Sequence, residues 1–290
     1  MLVSLLKKPK TLFMFSCVFN SSFLVFSKLL GESFSPYELA FYRVLIIFTM
    51  SLTALVVTKK KFPPFKRFHL LFLLKSILAL LSMVSWFITI NKLPVSEVVA
   101  VSFSTPILTS ILAVIMLKEK FTRHHLVAML AGLVGMVIIV SPERGILNIY
   151  ALLGIASCLL LSASFVVTKY LLMRDYIPIE INYYGNMTML PMALLLAYNN
   201  LSNDFCLHNI ALVLGLGICI FFADFLQNTA YKKSDITTLA PLLFSTIIMG
   251  AMLDYFVFDI IADQNIFLGA MFVTSGIIYM NIKVKHNHEK

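Results

Sequence analysis

Four ionisable side chains stand inside runs of apolar residues: Arg43, Lys75, Asp224 and Asp254. Placing such a group near the centre of a bilayer costs about 2.5–3.5 kcal/mol on insertion scales, so it is expected to face a partner or a watery space. Asp224 is followed by Gln227 and Asn228, three and four residues on, a spacing that puts all three on one helix face. That polar stripe reads either as the wall of a binding space or as glue between helices, with Asp224 paired to Arg43 or to backbone. Asp254 stands alone among Met252, Leu253, Tyr255 and Phe256. It suits a cavity residue, a proton or charge-compensation site, or one half of a local ion pair. Arg43 can bind a carboxylate through its fork of donors, or it can neutralise either aspartate. Lys75 is about two turns from the end of its run, close enough to snorkel outward.

Other candidates carry less charge. Glu38 and Glu180 each follow a proline by two residues and so fall in a first helical turn, where a carboxylate is favoured by the helix dipole. Each has a tyrosine four residues on, Tyr42 and Tyr184, and the tyrosines are the better candidates for contact with a ligand. Trp86, the single tryptophan, reads as an interfacial belt residue or as an aromatic lid over a ring or cation. Pro106 and Pro241 interrupt their helices, and the carbonyls they free either meet a ligand or mark a kink. Ser102 and Ser104 can re-satisfy that backbone. His124, His125, His286 and His288 lie in or beside basic segments and are expected to be solvated. The four cysteines show no C-x-x-C spacing and read as packing residues, not a disulfide framework or metal site. No HExxH, G-x-S-x-G or glycine-rich phosphate loop occurs, so neither a metal, nor a cofactor, nor an enzyme activity is expected.

The elements that hold these residues follow from composition. Of 290 residues 60% are hydrophobic and 13% charged, with a mean hydropathy of +0.92; soluble proteins are nearer ~45–50% apolar and ~25% charged. A soluble chain of this length has no interior for so much apolar surface, so the expected solvent is lipid. Soluble enzymes and nucleic-acid binders are excluded. The net charge of +9 resides mainly in short connections between apolar runs, as membrane orientation requires, and does not call for a polyanionic partner.

A membrane-spanning helix needs about 20 mostly apolar residues. Ten segments qualify: 11–31, 36–57, 68–90, 95–117, 124–141, 148–171, 178–198, 210–230, 235–258 and 265–282. The first is too long for the h-region of a signal peptide and no A-x-A site follows it, so a retained helix is expected. Alternating the connections between two sides puts nearly all lysines and arginines on one side, with only Lys28, Lys92 and Arg144 on the other and Arg43 and Lys75 within helices. Lysine and arginine accumulate on the cytoplasmic side, so both termini are expected there.

The two halves correspond. Displacing the sequence by 141 places Cys17, Ser21, Val25 and Lys28 on Cys158, Ser162, Val166 and Lys169; displacing it by 142 places Pro36, Glu38 and Tyr42 on Pro178, Glu180 and Tyr184. At 140, Thr89, Lys92 and Ala100 meet Thr229, Lys232 and Ala240, and Glu119 meets Asp259; at 141 Gly135 meets Gly276. The expectation is a duplicated five-helix unit, 1–146 and 147–290. Five is odd, so the second copy enters the membrane upside down, the architecture of many secondary transporters.

The chain also resembles the drug/metabolite transporter superfamily, in its EamA-type branch with two five-helix repeats. The matching stretches are Ser27-Lys28-Leu29-Leu30-Gly31 and Glu38-Leu39-Ala40-Phe41-Tyr42-Arg43; Leu93-Pro94-Val95 and Val101-Ser102-Phe103-Ser104 with Pro106; Ile111-Leu112-Ala113-Val114 leading to Glu119; and Thr238-Leu239-Ala240-Pro241. Within the branch the likeness is to S-adenosylmethionine uptake carriers of intracellular bacteria. After Pro241 the chain reads Leu242-Leu243-Phe244-Ser245, without the polar aromatic and basic residues of that pattern. The resemblance implies a central cavity formed by helices 1–4 and 6–9, with 5 and 10 in support. It implies a multi-pass carrier of a small metabolite in the cell inner membrane, working by alternating access. With no loop long enough for an ATPase domain, a gradient or exchange would supply the energy.

The candidate substrate-binding set is therefore Arg43, Asp224, Asp254, Tyr42, Tyr184, Asn228, Trp86 and Ser102. S-adenosylmethionine fits it in outline: ammonium and sulfonium to an aspartate, carboxylate to Arg43, adenine to an aromatic ring. An exporter of amino acids or related metabolites fits the same residues, and a non-transporting scaffold or membrane enzyme is the alternative of a different class. The small residues Ala128, Gly132 and Gly135 permit close helix contact within or between chains, so the oligomeric state stays open.

Overall fold

A computed structural model of the chain describes residues 8–31, 33–58, 69–93, 98, 101–140, 149–174, 176–200, 206–258 and, toward the C-terminus, 268, 269, 271, 272, 274–276 and 279. All secondary structure among the described residues is helical. The long elements are α1 (Pro9–Leu30), α2 (Pro36–Val57), α3 (His69–Lys92), α4 (Ser104–Leu117), α5 (Arg123–Val140), α6 (Ile149–Met173), α7 (Pro178–Ala197) and α8 (Leu207–Lys233). A four-residue helix, α9 (Ile236–Leu239), runs into a 3-10 turn, Ala240–Phe244, and then into α10 (Ser245–Phe258). Among the described residues five helices are long and apolar enough to cross a membrane: α1, α2, α3 (from Leu70), α6 and α8. Segment 95–117, expected as one span, is described as α4 with only scattered residues before it, and most of 265–282 lies outside the described residues.

The boundaries follow local chemistry. Proline opens α1, α2 and α7, where its missing N–H costs nothing and its φ is already helical. Glu38 accepts the backbone N–H of Ser35 at 2.8 Å while the Ser35 hydroxyl accepts that of Glu38 at 3.3 Å, a reciprocal capping box. Glu180 accepts the N–H of Ile177 at 3.0 Å. Both glutamates thus cap their helices, as their position after proline predicts. α4 stops at Lys118, in the left-handed region at φ 56°. The break around Pro241 falls where the sequence places it, although it takes the form of a 3-10 segment and not a simple kink.

Helix pairings come in matched sets. α1 packs along α8 and α6 along α3; α2 packs against α7; α4 leans on α6 and α10 on α1; α8 touches α2 and α7 touches α3. The same exchange holds atom by atom. The Cys17 thiol donates to the carbonyl of Leu242, and that of Cys158 to the carbonyl of Val101. The Ser21 hydroxyl donates to the carbonyl of Thr246 at 2.8 Å, and that of Ser162 to the carbonyl of Thr105 at 3.3 Å. In both sets the two donors are 141 residues apart, as are the two acceptors. Phe103 and Phe244, again 141 apart, stack on each other at 5.4 Å and 25°, both almost wholly buried.

Several expectations change. His125 is buried, not solvated: its Nδ1 accepts the N–H of Thr122 at 3.3 Å, and its Nε2 stands 3.5 Å from the Thr238 hydroxyl. Lys169 leaves the basic surface set, because its ammonium donates to the carbonyls of Tyr231 (2.6 Å) and Ser234 (2.7 Å). Carbonyls at a helix C-terminus lack intrahelical partners and favour a cation. Gly132 has a role within the chain, since a Cβ there would lie 2.5 Å from the Phe244 ring.

Candidate functional site

The interior charges meet where α1, α2, α3, α7 and α8 converge. α2 carries Arg43 inward: its Nη2 is 3.9 Å from Asp224 Oδ2 on α8, its guanidinium lies 5.0 Å from the centre of the Phe23 ring on α1, and its Nη1 approaches the Met83 sulfur on α3 at 3.4 Å. A guanidinium touching three other helices faces the interior of the bundle. The Arg43 side chain nevertheless keeps 23% exposure and Asp224 31%, so the pair borders a gap between helices and is not sealed in packing. At 3.9 Å the pair is an ion pair without a hydrogen bond.

Lys75 completes the charged set. It lies within electrostatic range of both Asp224 and Arg43. Its ammonium rests over Gly185 of α7, 2.9 Å from where a Cβ would stand, so a hydrogen atom there is what makes room for it. The neighbouring Ser76 hydroxyl donates to the Gly185 carbonyl at 2.7 Å and sits 2.6 Å from the Thr188 hydroxyl, fixing α3 against α7 at this level. Among the described residues no protein hydrogen bond reaches Asp224 or the Lys75 ammonium, and the thioether of Met83 is the one acceptor for Arg43. All three side chains are half-buried, so the set lines the gap between the helices and is not closed off in packing.

An amide group adjoins the charges. Asn228, one turn beyond Asp224, donates to Oδ1 of Asn182 on α7 at 2.7 Å, and Asn186 donates to the Asn182 backbone carbonyl at 2.7 Å. All three are buried, and Nδ2 of Asn182 has no hydrogen-bond partner. Gln227 donates to the hydroxyl of fully buried Tyr231 at 3.0 Å and so is tied into packing. Sequence reading missed Asn182 and Asn186. The available signal is their i, i+4 spacing, which repeats that of Asp224 and Asn228 on the facing helix.

The remaining candidates divide. Tyr42 is half-buried, packing edge-on to Phe34 at 5.9 Å and beside the apolar cluster that includes Phe23 and Met83. Tyr184 is buried in a different cluster with Phe72, at 5.5 Å, and Tyr231. Trp86 is half-buried and packs beside a third cluster, Leu93, Val101, Ala151 and Cys158. Ser102 is half-buried in the turn leading to α4. Asp254 falls on α10, and its side chain lies outside the described residues. The structure therefore brings Arg43, Asp224 and Asn228 together with Lys75, Asn182 and Asn186, with Tyr42 at the margin.

A helical bundle with several membrane-length apolar helices and charged side chains gathered between them is that of a multi-pass membrane protein. The chain matches the EamA-like transporter family over residues 9–141 and again over 148–282, and it belongs to that family. It is 26% identical over 272 residues to the S-adenosylmethionine uptake transporter of Rickettsia bellii, covering 92% of this chain and 91% of that protein. The protein of the same name from Rickettsia prowazekii is 25% identical, with 92% and 90% covered. The riboflavin transporter of Brucella anthropi is 27% identical over 202 residues, covering 67% and 70%. A crystal structure at 14% identity superposes with a TM-score of 0.78, over 95% of this chain and 97% of the other, and supports the fold alone.

Proposed function

We propose that the chain is a secondary carrier of the cell inner membrane that moves a small zwitterionic metabolite by alternating access, and that its substrate is S-adenosylmethionine. The observation that carries the reading is the Arg43–Asp224–Lys75 set: three charged side chains on three helices, half-buried beside a gap in the bundle. A substrate bearing carboxylate and ammonium groups supplies what each lacks, as charge-assisted hydrogen bonds. The amides of Asn182 and Asn228 adjoin these charges and offer polar contacts to the rest of the molecule. The name shared by the two Rickettsia relatives favours S-adenosylmethionine.

The carrier reading also needs an element that rocks. Contacts that exchange residue i with the equivalent of its partner, as Cys17–Leu242 does with Cys158–Val101, are those of a two-fold relation. They support two repeats, 1–146 and 147–290, inverted in the membrane with both termini cytoplasmic. The Phe103–Phe244 stack then lies on the axis. At one end of the bundle Glu119 accepts the N–H groups of Ile236 (3.0 Å) and Thr237 (2.8 Å) through its two oxygens, a clasp between the halves that alternating access would open.

Uptake of radiolabelled S-adenosylmethionine into liposomes holding the purified chain tests the proposal, with and without S-adenosylhomocysteine inside. Saturable uptake stimulated by the internal compound is the expected result. No uptake by folded protein, under an imposed membrane potential as well, would overturn the substrate and favour the amino-acid exporter.

A further inference from the structure

The charged set has a sign, and the sign says which part of the substrate is read most stringently. Of the three charges gathered there, Arg43 and Lys75 are cations and Asp224 is a carboxylate. Asp224, at 3.9 Å from Arg43, hydrogen-bonds neither cation. A ligand that brings only positive charge would add to the excess cation. A ligand that brings a carboxylate would balance it, and would find a fork of donors on Arg43 and three on Lys75. Electrostatic complementarity of this kind discriminates between ligands more strongly than it adds to affinity.

From this we infer that Lys75 is a specificity-determining residue which, with Arg43, reads a carboxylate on the substrate. The inference rests on the carrier reading but not on the identity of the metabolite. Three further observations place Lys75 in this role. Gly185 gives its ammonium a seat that any side chain would fill. The Ser76 bonds to Gly185 and Thr188 hold the adjoining turn of α3 in register with α7. Asn182, one turn before Asn186 on α7, keeps a buried and unpartnered N–H group beside the same set. A lysine free to snorkel would need no seat on a neighbouring helix.

The test compares ligands that differ only by a carboxylate. Suitable pairs are S-adenosylmethionine with its decarboxylated counterpart, methionine with 3-(methylthio)propylamine, and phenylalanine with phenethylamine. Affinity is read by thermal shift of the full-length purified chain, in the wild type, Lys75→Gln, Lys75→Arg and Gly185→Ala. In at least one pair the wild type should bind the acid about 30-fold more tightly than the amine, as expected for a charge-assisted pair. Lys75→Gln should reduce that ratio to about threefold or less, while Lys75→Arg should keep most of it because the charge is retained. Gly185→Ala leaves every charge in place and displaces only the ammonium, so it should give an intermediate ratio, and it carries the test should Lys75→Gln fail to fold. A ratio near one for every pair in the wild type, including the absence of any binding, overturns the inference. So does a wild-type ratio that survives both Lys75→Gln and Gly185→Ala. If the S-adenosylmethionine pair is silent while another pair behaves as described, the inference stands and the proposed substrate falls.

Discussion

The two halves of the chain share a packing frame and differ in what they place inside it. Cys17 and Cys158, Ser21 and Ser162, and Phe103 and Phe244 occupy equivalent positions and make equivalent contacts. The polar interior is not shared. Arg43 of α2 corresponds to Gly185 of α7, and Lys75 of α3 to Gly215 of α8. In the other direction, Asn182 and Asn186 correspond to Ala40 and Val44, while Asp224, Gln227 and Asn228 correspond to Val84, Phe87 and Ile88. The first half contributes cations, and the second contributes the carboxylate and the amides. A symmetric frame lets two bundles move alike, whereas a one-sided set of charges can hold a small molecule whose own ends differ. On the proposed carrier reading, the difference between the halves is where specificity would reside.

The largest effects should come from the shared frame. Phe103→Ala and Phe244→Ala each remove half of a buried stack and should cost about 3 kcal/mol or more in stability. The two losses should agree closely in thermal unfolding of the purified protein. A large loss at one and none at the other would break the symmetry of the frame. Next come the charges. Arg43→Ala and Asp224→Asn should each lower the initial uptake rate by about 100-fold, equivalent to roughly 2.7 kcal/mol. Introducing alanine at Val84, the first-half counterpart of Asp224, should leave uptake within about threefold of wild type, since a half-buried valine there makes only packing contacts. Equal losses at 84 and 224 would erase the distinction between the halves.

Smaller still is the clasp. Glu119→Gln keeps the shape of the side chain but weakens two charge-assisted bonds to α9, and about 1.5 kcal/mol of stability should be lost. The population closed at that end should fall, measured as faster reaction of a cysteine introduced at Thr238. The smallest effect belongs to Ser21: Ser21→Ala should cost about 0.6 kcal/mol, typical of hydrogen bonds between helices in membranes. Ser162→Ala should cost more, because Ser162 also accepts the hydroxyl of buried Thr109 at 2.8 Å and the equivalent position in the second half is Gly250.

Much of this is legible in the sequence. Apolar length gave the helices, prolines with glutamates gave the starts of α2 and α7, and displacement by 141 singled out the cysteines and serines that the structure shows in reciprocal contacts. Arg43, Asp224 and Asn228 stood out because polarity inside an apolar run is costly. Lys75 was harder to place, since snorkelling and burial differ only in which helix lies alongside, and Gly185 is 110 residues away. Asn182 and Asn186 sit near the start of α7, where polar residues also suit a helix end, so their meeting with α8 was hidden in the tertiary packing. His125 and Lys169 misled for the opposite reason. Their basic surroundings suggested water, while the partners that bury them come from elsewhere in the fold: Thr238 of the other half for His125, and the last carbonyls of α8 for Lys169.

The central claim is that the interior ion pair recognises substrate and is not merely a brace. Exchanging its ends, Arg43→Asp together with Asp224→Arg, keeps one cation and one carboxylate facing each other but reverses the order in which a ligand meets them. Initial uptake of S-adenosylmethionine into proteoliposomes should be measured for this double variant beside the wild type, at matched thermal stability. The account predicts that the double variant stays folded while uptake falls to about 1% of wild type, the roughly 2.7 kcal/mol expected of either single change. Uptake restored to the wild-type rate would contradict it and leave the pair as a brace between α2 and α8.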